Sequence, residues 1–83
     1  MEIEFKNQAF KFLEKIDKET ITRIIKRIEL LKTYPFSHDT KRVVGHKEKV
    51  FRIRIGEYRV LYRANYKDNK IIIVNIDKRS RVY

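Results

Sequence analysis

Val50-Phe51-Arg52-Ile53-Arg54-Ile55-Gly56-Glu57-Tyr58-Arg59-Val60-Leu61-Tyr62 reads as two strands joined by a two-residue turn. Apolar and charged residues alternate on both sides of Gly56-Glu57, which is the period of a strand half buried against a core. Glycine at the first central position of a two-residue connection favours a tight turn whose twist matches that of the strands it joins. With Gly56 and Glu57 in the turn, residues whose numbers sum to 113 face each other. Phe51 then meets Tyr62, Ile53 meets Val60 and Ile55 meets Tyr58, giving one apolar and aromatic face suited to a cover of helices. The opposite face pairs Arg54 with Arg59, sets Arg52 against Leu61 and puts Val50 against Arg63. Like charges directly opposite one another destabilise a sheet by up to about 1 kcal/mol relative to a neutral pair, so this face points to an external anion.

Upstream of the hairpin, Ile3 and Phe5 alternate with Glu2, Glu4 and Lys6, which predicts a short strand. The period then becomes helical. Asn7 is placed to cap a first helix carrying Ala9, Phe10, Phe12, Leu13 and Ile16, and Asp17 to cap a second. In the second helix Ile21, Ile24, Ile25, Ile28 and Leu31 form one stripe, and Tyr34-Pro35 ends it because proline disfavours helical backbone at the residue before it. Residues 36–49 hold turn formers, charges and both histidines without a period, and read as a loop. Downstream, Lys67-Asp68-Asn69 reads as a turn and Ile71 to Ile76 as a last strand. An odd-length turn after Ala64 would place Ile72, Val74 and Ile76 on the core face. Leu61, Ile71 and Ile73 would then form an apolar patch beside the basic residues, needing a cover or a partner, with Asp77, Arg79 and Arg81 on the same cationic face. The expected fold is a single α+β domain over residues 1–83, ordered β-α-α-β-β-β, with a helical hairpin on an antiparallel, hairpin-linked sheet.

Charge separates the two halves of the chain. The net charge is +10; residues 1–40 hold eight Lys/Arg against seven Asp/Glu, whereas residues 41–83 hold thirteen against four, so +9 falls in the second half. A one-sided field of this kind attracts phosphate polymers or an acidic protein. With no cysteine, neither a disulfide nor a thiolate metal site supplements the core. No segment approaches the roughly 20 apolar residues that span a bilayer and no leader pattern opens the chain, so a soluble, cytoplasmic protein is expected.

Arginine is planar, permanently charged and able to grip two phosphate oxygens, so converging guanidinium groups make either a phosphodiester site or an RNA-binding face. Arg52, Arg54, Arg59 and Arg79 are the candidates. Imidazole ordinarily titrates near neutrality, but His38 and His46 lie in the irregular loop without a paired motif, and are read as loop residues. No metal-ligand spacing, Ser/His/Asp arrangement or phosphate-binding glycine loop occurs; no metal and no cofactor are expected. Tyr83 has two readings that stay open on its own residue type, base stacking and simple packing.

The hairpin from Val50 to Tyr62, followed by Lys78-Arg79-Ser80-Arg81-Val82-Tyr83 and preceded by the two helices, resembles the RelE-family toxins of type II toxin–antitoxin systems over essentially the whole chain. Tyr58-Arg59-Val60-Leu61-Tyr62 is shared by the broader RelE/ParE superfamily and speaks for the fold. The Lys-Arg-x-x-x-Tyr ending is the part that discriminates activity. The resemblance implies a metal-independent endoribonuclease that enters the ribosomal A site, cleaves mRNA by 2′-hydroxyl attack, and is held inactive by a RelB-like acidic antitoxin. Arg59 matches the arginine that stabilises charge on the scissile phosphate, Arg79 the basic residue that assists the leaving group, and Tyr83 the tyrosine that stacks on or orients the nucleotide. Arg52 and Arg54 stand where well-known bacterial members have lysine; an arginine stays protonated, so these two are expected to act by electrostatic stabilisation. Lys41, Arg42, Lys47, Lys49, Arg63, Lys78 and Arg81 are expected to contact RNA and the ribosome, and Leu61, Ile71 and Ile73 the antitoxin. Relatives with a histidine just before the terminal tyrosine match less well, since Val82 stands there. Two alternatives from other classes remain: a ParE-like toxin that inhibits gyrase by binding, and a non-catalytic RNA-binding module.

Overall fold

The computed structural model describes residues 1–35, 40–43 and 49–78. Strand β1 (Glu2–Phe5) passes through Lys6 into helix α1 (Asn7–Leu13). Helix α2 (Lys18–Glu29) ends in a 3-10 turn over Leu30–Lys32, and strands β2 (Lys41–Val43), β3 (Val50–Ile55), β4 (Tyr58–Asn65) and β5 (Lys70–Lys78) follow. The strand order is β1-β5-β4-β3-β2, with β1 parallel to β5 and every other neighbouring pair antiparallel. The α+β class and the helical pair on a sheet are as expected. The sheet is mixed and holds one strand more than expected, because part of the stretch read as a loop forms β2 at its edge. Lys41 and Arg42 carry no apolar period; they become a strand only through pairing with Arg52 and Phe51 of β3.

Asp17 caps α2 as expected, accepting from the Thr20 backbone N–H at 3.2 Å and from Thr20 Oγ1 at 2.6 Å. These hydrogen bonds hold its carboxyl below the ordinary carboxylate range. Asn7 does not cap α1. The capping position falls on Lys6, whose N–H donates to the Ile73 carbonyl at 2.9 Å while its own carbonyl accepts from Phe10 at 3.0 Å, so one residue ends a strand and starts a helix.

Between helices and sheet lies a core of Ala9, Ile24, Ile28 and Leu31 against Ile53, Ile55, Val60, Tyr62, Ile71, Ile73 and Ile76. The β3/β4 register is the expected one, from Phe51 opposite Tyr62 to Ile55 opposite Tyr58. Gly56 takes φ +59 and Glu57 does not share the positive sign, the combination of a type II′ turn.

Strand β5 departs from the expected register. The turn over Tyr66–Asn69 has four residues, with Asn69 at φ 55, so Ala64 faces Ile71 and Tyr62 faces Ile73. Both isoleucines therefore point into the core at 0% exposure, and the antitoxin patch expected from Ile71 and Ile73 does not exist. An even-length turn has exchanged the two faces. They exchange again at a β-bulge: Leu61 faces Asn75 while Tyr62 faces Ile73, which leaves Val74 as the extra residue. Its carbonyl accepts from Gln8 Nε2 of α1 at 2.9 Å. Beyond the bulge Ile76 returns to the core, and Asn75 and Asp77 lie on the opposite face.

Candidate functional site

The face of the sheet turned away from the helices is built in cross-strand rows. One row runs Arg54, Arg59, Asp77, and the next runs Lys41, Arg52, Leu61, Asn75. Beyond them Val43 stands opposite Val50, and Arg63 opposite Ile72, which in turn pairs with Glu4 of β1. Val50 and Ile72 are buried although they lie on this face. Where the first two rows meet β2, a concavity of about 310 Å³ is lined by Lys41, Arg42, Val43, Arg52, Arg59 and Leu61. Lys41, Arg52 and Arg59 thus share one face with Leu61 and Val43, whereas Arg42, in register with Phe51, lines the concavity from the alternate position of edge strand β2. In such a site, partly shielded from water, charge acts more strongly than on an open surface.

Arg59 is held from one side. Asp77 accepts from its Nε and Nη2, both at 3.0 Å, in a bidentate pair whose side chains are about one-third exposed. Arg54 is directly opposite Arg59 on the other side and is exposed. The sequence placed Asp77 on the cationic face without pairing it to Arg59; a β4/β5 register that allowed for a bulge would have done so. The sequence also passed over Tyr62. Its ring is fully buried, its hydroxyl donates to the Pro35 carbonyl and shares a hydrogen bond with Thr40 Oγ1 at 3.2 Å. One core residue thereby ties down the chain on both sides of residues 36–39, just before β2 brings Lys41 and Arg42 to the concavity.

The expected site residues divide as follows. Lys41, Arg42, Arg52, Arg59 and Leu61 come together; Arg54 and Arg63 share their face. Lys49 is exposed just before β3. Lys78 stands opposite Tyr58, on the helix side of the sheet, where it pairs with Glu57 at 3.5 Å. Lys47, Arg79, Arg81, Tyr83, His38 and His46 lie outside the described residues. Among the described residues, no three His, Asp or Glu side chains gather to hold a metal, and no helix is long and apolar enough to cross a membrane. On the far side of the sheet the charge changes sign: Glu2 and Glu4 occupy edge strand β1, and Lys70 donates to Glu4 at 3.2 Å, which raises the lysine pKa.

The family model described as "ParE toxin of type II toxin-antitoxin system, parDE" matches residues 3–83. The chain belongs to the RelE/ParE family of type II toxins. Within it, a protein of Methanocaldococcus jannaschii that bears the name RelE1 is 34% identical over 98% of this chain and 92% of its own length. Among solved structures, the archaeal RelE-RelB complex from Pyrococcus horikoshii contains a chain 27% identical to this one. That match has a TM-score of 0.82 and covers 98% of this chain and 97% of the other. The isolated RelE toxin of E. coli shares the fold at a TM-score of 0.82 and 17% identity, over 96% of this chain and 85% of its own. RelE relatives thus bear out the family read from the hairpin and the ending.

Proposed function

We propose that this toxin is a ribosome-dependent mRNA endoribonuclease that cleaves in the A site through the ribose 2′-hydroxyl. The observation that supports the reading is the concavity where Lys41, Arg52 and Arg59 stand on one face with Leu61, with Arg42 also in its lining. In-line attack of the 2′-hydroxyl on the adjacent phosphorus forms a pentavalent phosphorane and expels the 5′-oxygen. Arg59, Arg52 and Arg54 stabilise the phosphorane charge, Arg79 assists the departing oxygen, and Tyr83 stacks on the neighbouring base. Lys41, Arg42, Lys47, Lys49, Arg63, Lys78 and Arg81 hold RNA and ribosome by charge. None of these groups ordinarily titrates near neutrality, so the isolated toxin is slow and the ribosome supplies geometry. Such a protein acts in the cytoplasm.

Its antitoxin is acidic and RelB-like, a reading supported by the similarity to the Pyrococcus RelE-RelB complex. Without Ile71 and Ile73, the apolar contact it offers on this face centres on Leu61 and Val43, ringed by cations that attract carboxylates. A second reading, inhibition of gyrase by binding, is favoured by the ParE description of the matching family. One experiment separates the two. In a translating extract the endoribonuclease leaves fragments ending in a 2′,3′-cyclic phosphate and a 5′-hydroxyl, and spares a substrate with 2′-O-methyl at the cut. A 5′-phosphate product overturns the mechanism, and intact mRNA with inhibited gyrase supports the second reading.

A further inference from the structure

The bulge at Val74 decides which way Asp77 faces. Ahead of it, odd-numbered residues of β5 point into the core, as Ile71 and Ile73 do. Had the ladder continued unbroken, Asp77 would follow them inward and Ile76 would stand across from Arg59. The extra residue reverses the order, so that Asp77 stands in register with Arg59 and Ile76 enters the core. Bulges often re-aim a side chain beside a functional site, and here the re-aimed group is a carboxylate. It grips the Nε edge of the Arg59 guanidinium through two bonds of 3.0 Å each.

We infer that Asp77 is a positioning residue, holding Arg59 in the one orientation in which its guanidinium can meet a phosphate in the concavity. The inference rests on the cleavage reading. A bidentate pair fixes both the plane and the rotamer of an arginine, and a carboxylate on the Nε edge requires any phosphate to approach the opposite, end-on edge. Arg59 lines the concavity, so the plane that Asp77 fixes decides how its guanidinium meets a ligand bound there. Arg54 stands directly opposite Arg59 in the same row, a like-charge pairing that a carboxylate on the far side of Arg59 counters. Organisation before the substrate arrives lowers the barrier without strengthening ground-state binding. Loss of Asp77 should therefore appear in kcat and not in KM. A carboxylate that merely screened the site would act in the opposite sense, since its removal would strengthen the attraction for RNA.

The test uses the purified toxin on mRNA-programmed ribosomes. Asp77→Asn should lower kcat by about tenfold to a hundredfold and leave KM within about twofold, whereas Asp77→Glu, which keeps the charge, should recover part of the loss. In an Arg59→Ala background, Asp77→Asn should add no further loss, because its effect passes through Arg59. A general weakening of the fold would add to both backgrounds. An independent readout needs no variant: the Arg59 Nε–H should exchange with solvent more slowly than those of exposed arginines. Undiminished or raised kcat in Asp77→Asn, an equal further loss in Arg59→Ala, or unprotected exchange at Arg59 overturns the inference while wild-type cleavage stands. If the wild-type protein fails to cut mRNA on the ribosome, the cleavage reading falls and this one falls with it.

Discussion

Replacing Arg59 with alanine removes a preorganised donor from the site and leaves the core untouched. The expected loss of cleavage is about a hundredfold to a thousandfold, equivalent to roughly 2.7–4 kcal/mol, with the far-ultraviolet circular dichroism unchanged. Full activity in the folded variant would exclude Arg59 from the chemistry. A second pair of substitutions separates two residues that the sequence grouped together. Ile73→Ala opens a cavity beneath the helices and should cost about 2–5 kcal/mol in urea unfolding, because Ile73 has no exposed surface. Leu61→Ala, on the outer face of the sheet, should cost much less and weaken antitoxin binding instead. Equal destabilisation by both would contradict the register of β5. At this scale much of the site was legible: charge alternation alone put Arg52, Arg54 and Arg59 on one face, because a two-residue turn leaves a single register. Ile71 and Ile73 were misread because their orientation depends on the length of the preceding turn, and a stretch of four consecutive apolar residues, Ile71 to Val74, fits either face.

Among the elements, α2 starts at the cap residue expected from the sequence, Asp17, and it supplies a pH test. Because Thr20 lowers the pKa of Asp17 in the folded protein, unfolding takes up a proton as the solution is acidified. The contribution is present above the ordinary aspartate pKa and is lost as pH falls through the lower, folded value. Asp17→Ala should lower stability at pH 7 and shrink the difference between pH 7 and strongly acidic solution; urea titrations across that interval measure it. An unchanged acid dependence in the variant would remove Asp17 as its source. The elements that were not legible have physical reasons. Strand β2 has three residues, two of them cationic, and exists by pairing to an edge. The parallel partnership of β1 joins residues 68 positions apart through one short strand, and nothing local encodes it. The bulge is supported by a glutamine on another element, Gln8, whose side-chain donor satisfies Val74. It cannot be found from the period of β5 alone.

For the whole molecule, the proposed function together with the concentration of positive charge in the second half predicts a salt-dependent binding of RNA. Each phosphate contact to a single strand contributes about 0.7 to the slope of log affinity against log salt. Arg52→Ala should therefore flatten that slope by about 0.7, whereas Lys18→Ala, on the exposed start of α2, should leave it unchanged. Filter binding to a short single-stranded RNA between low and moderate salt measures both, and equal slopes for all three proteins would mean that the outer face of the sheet is not where RNA binds. The strand order arranges this charge along one direction. Among the described residues, Glu2 and Glu4 occupy the β1 edge and Lys41 and Arg42 the β2 edge, so opposite charges stand at the two ends of the strand order. In the field of a large polyanion such a body experiences a torque as well as a pull. On the proposed function, the protein would be turned while still in solution, with β2 leading.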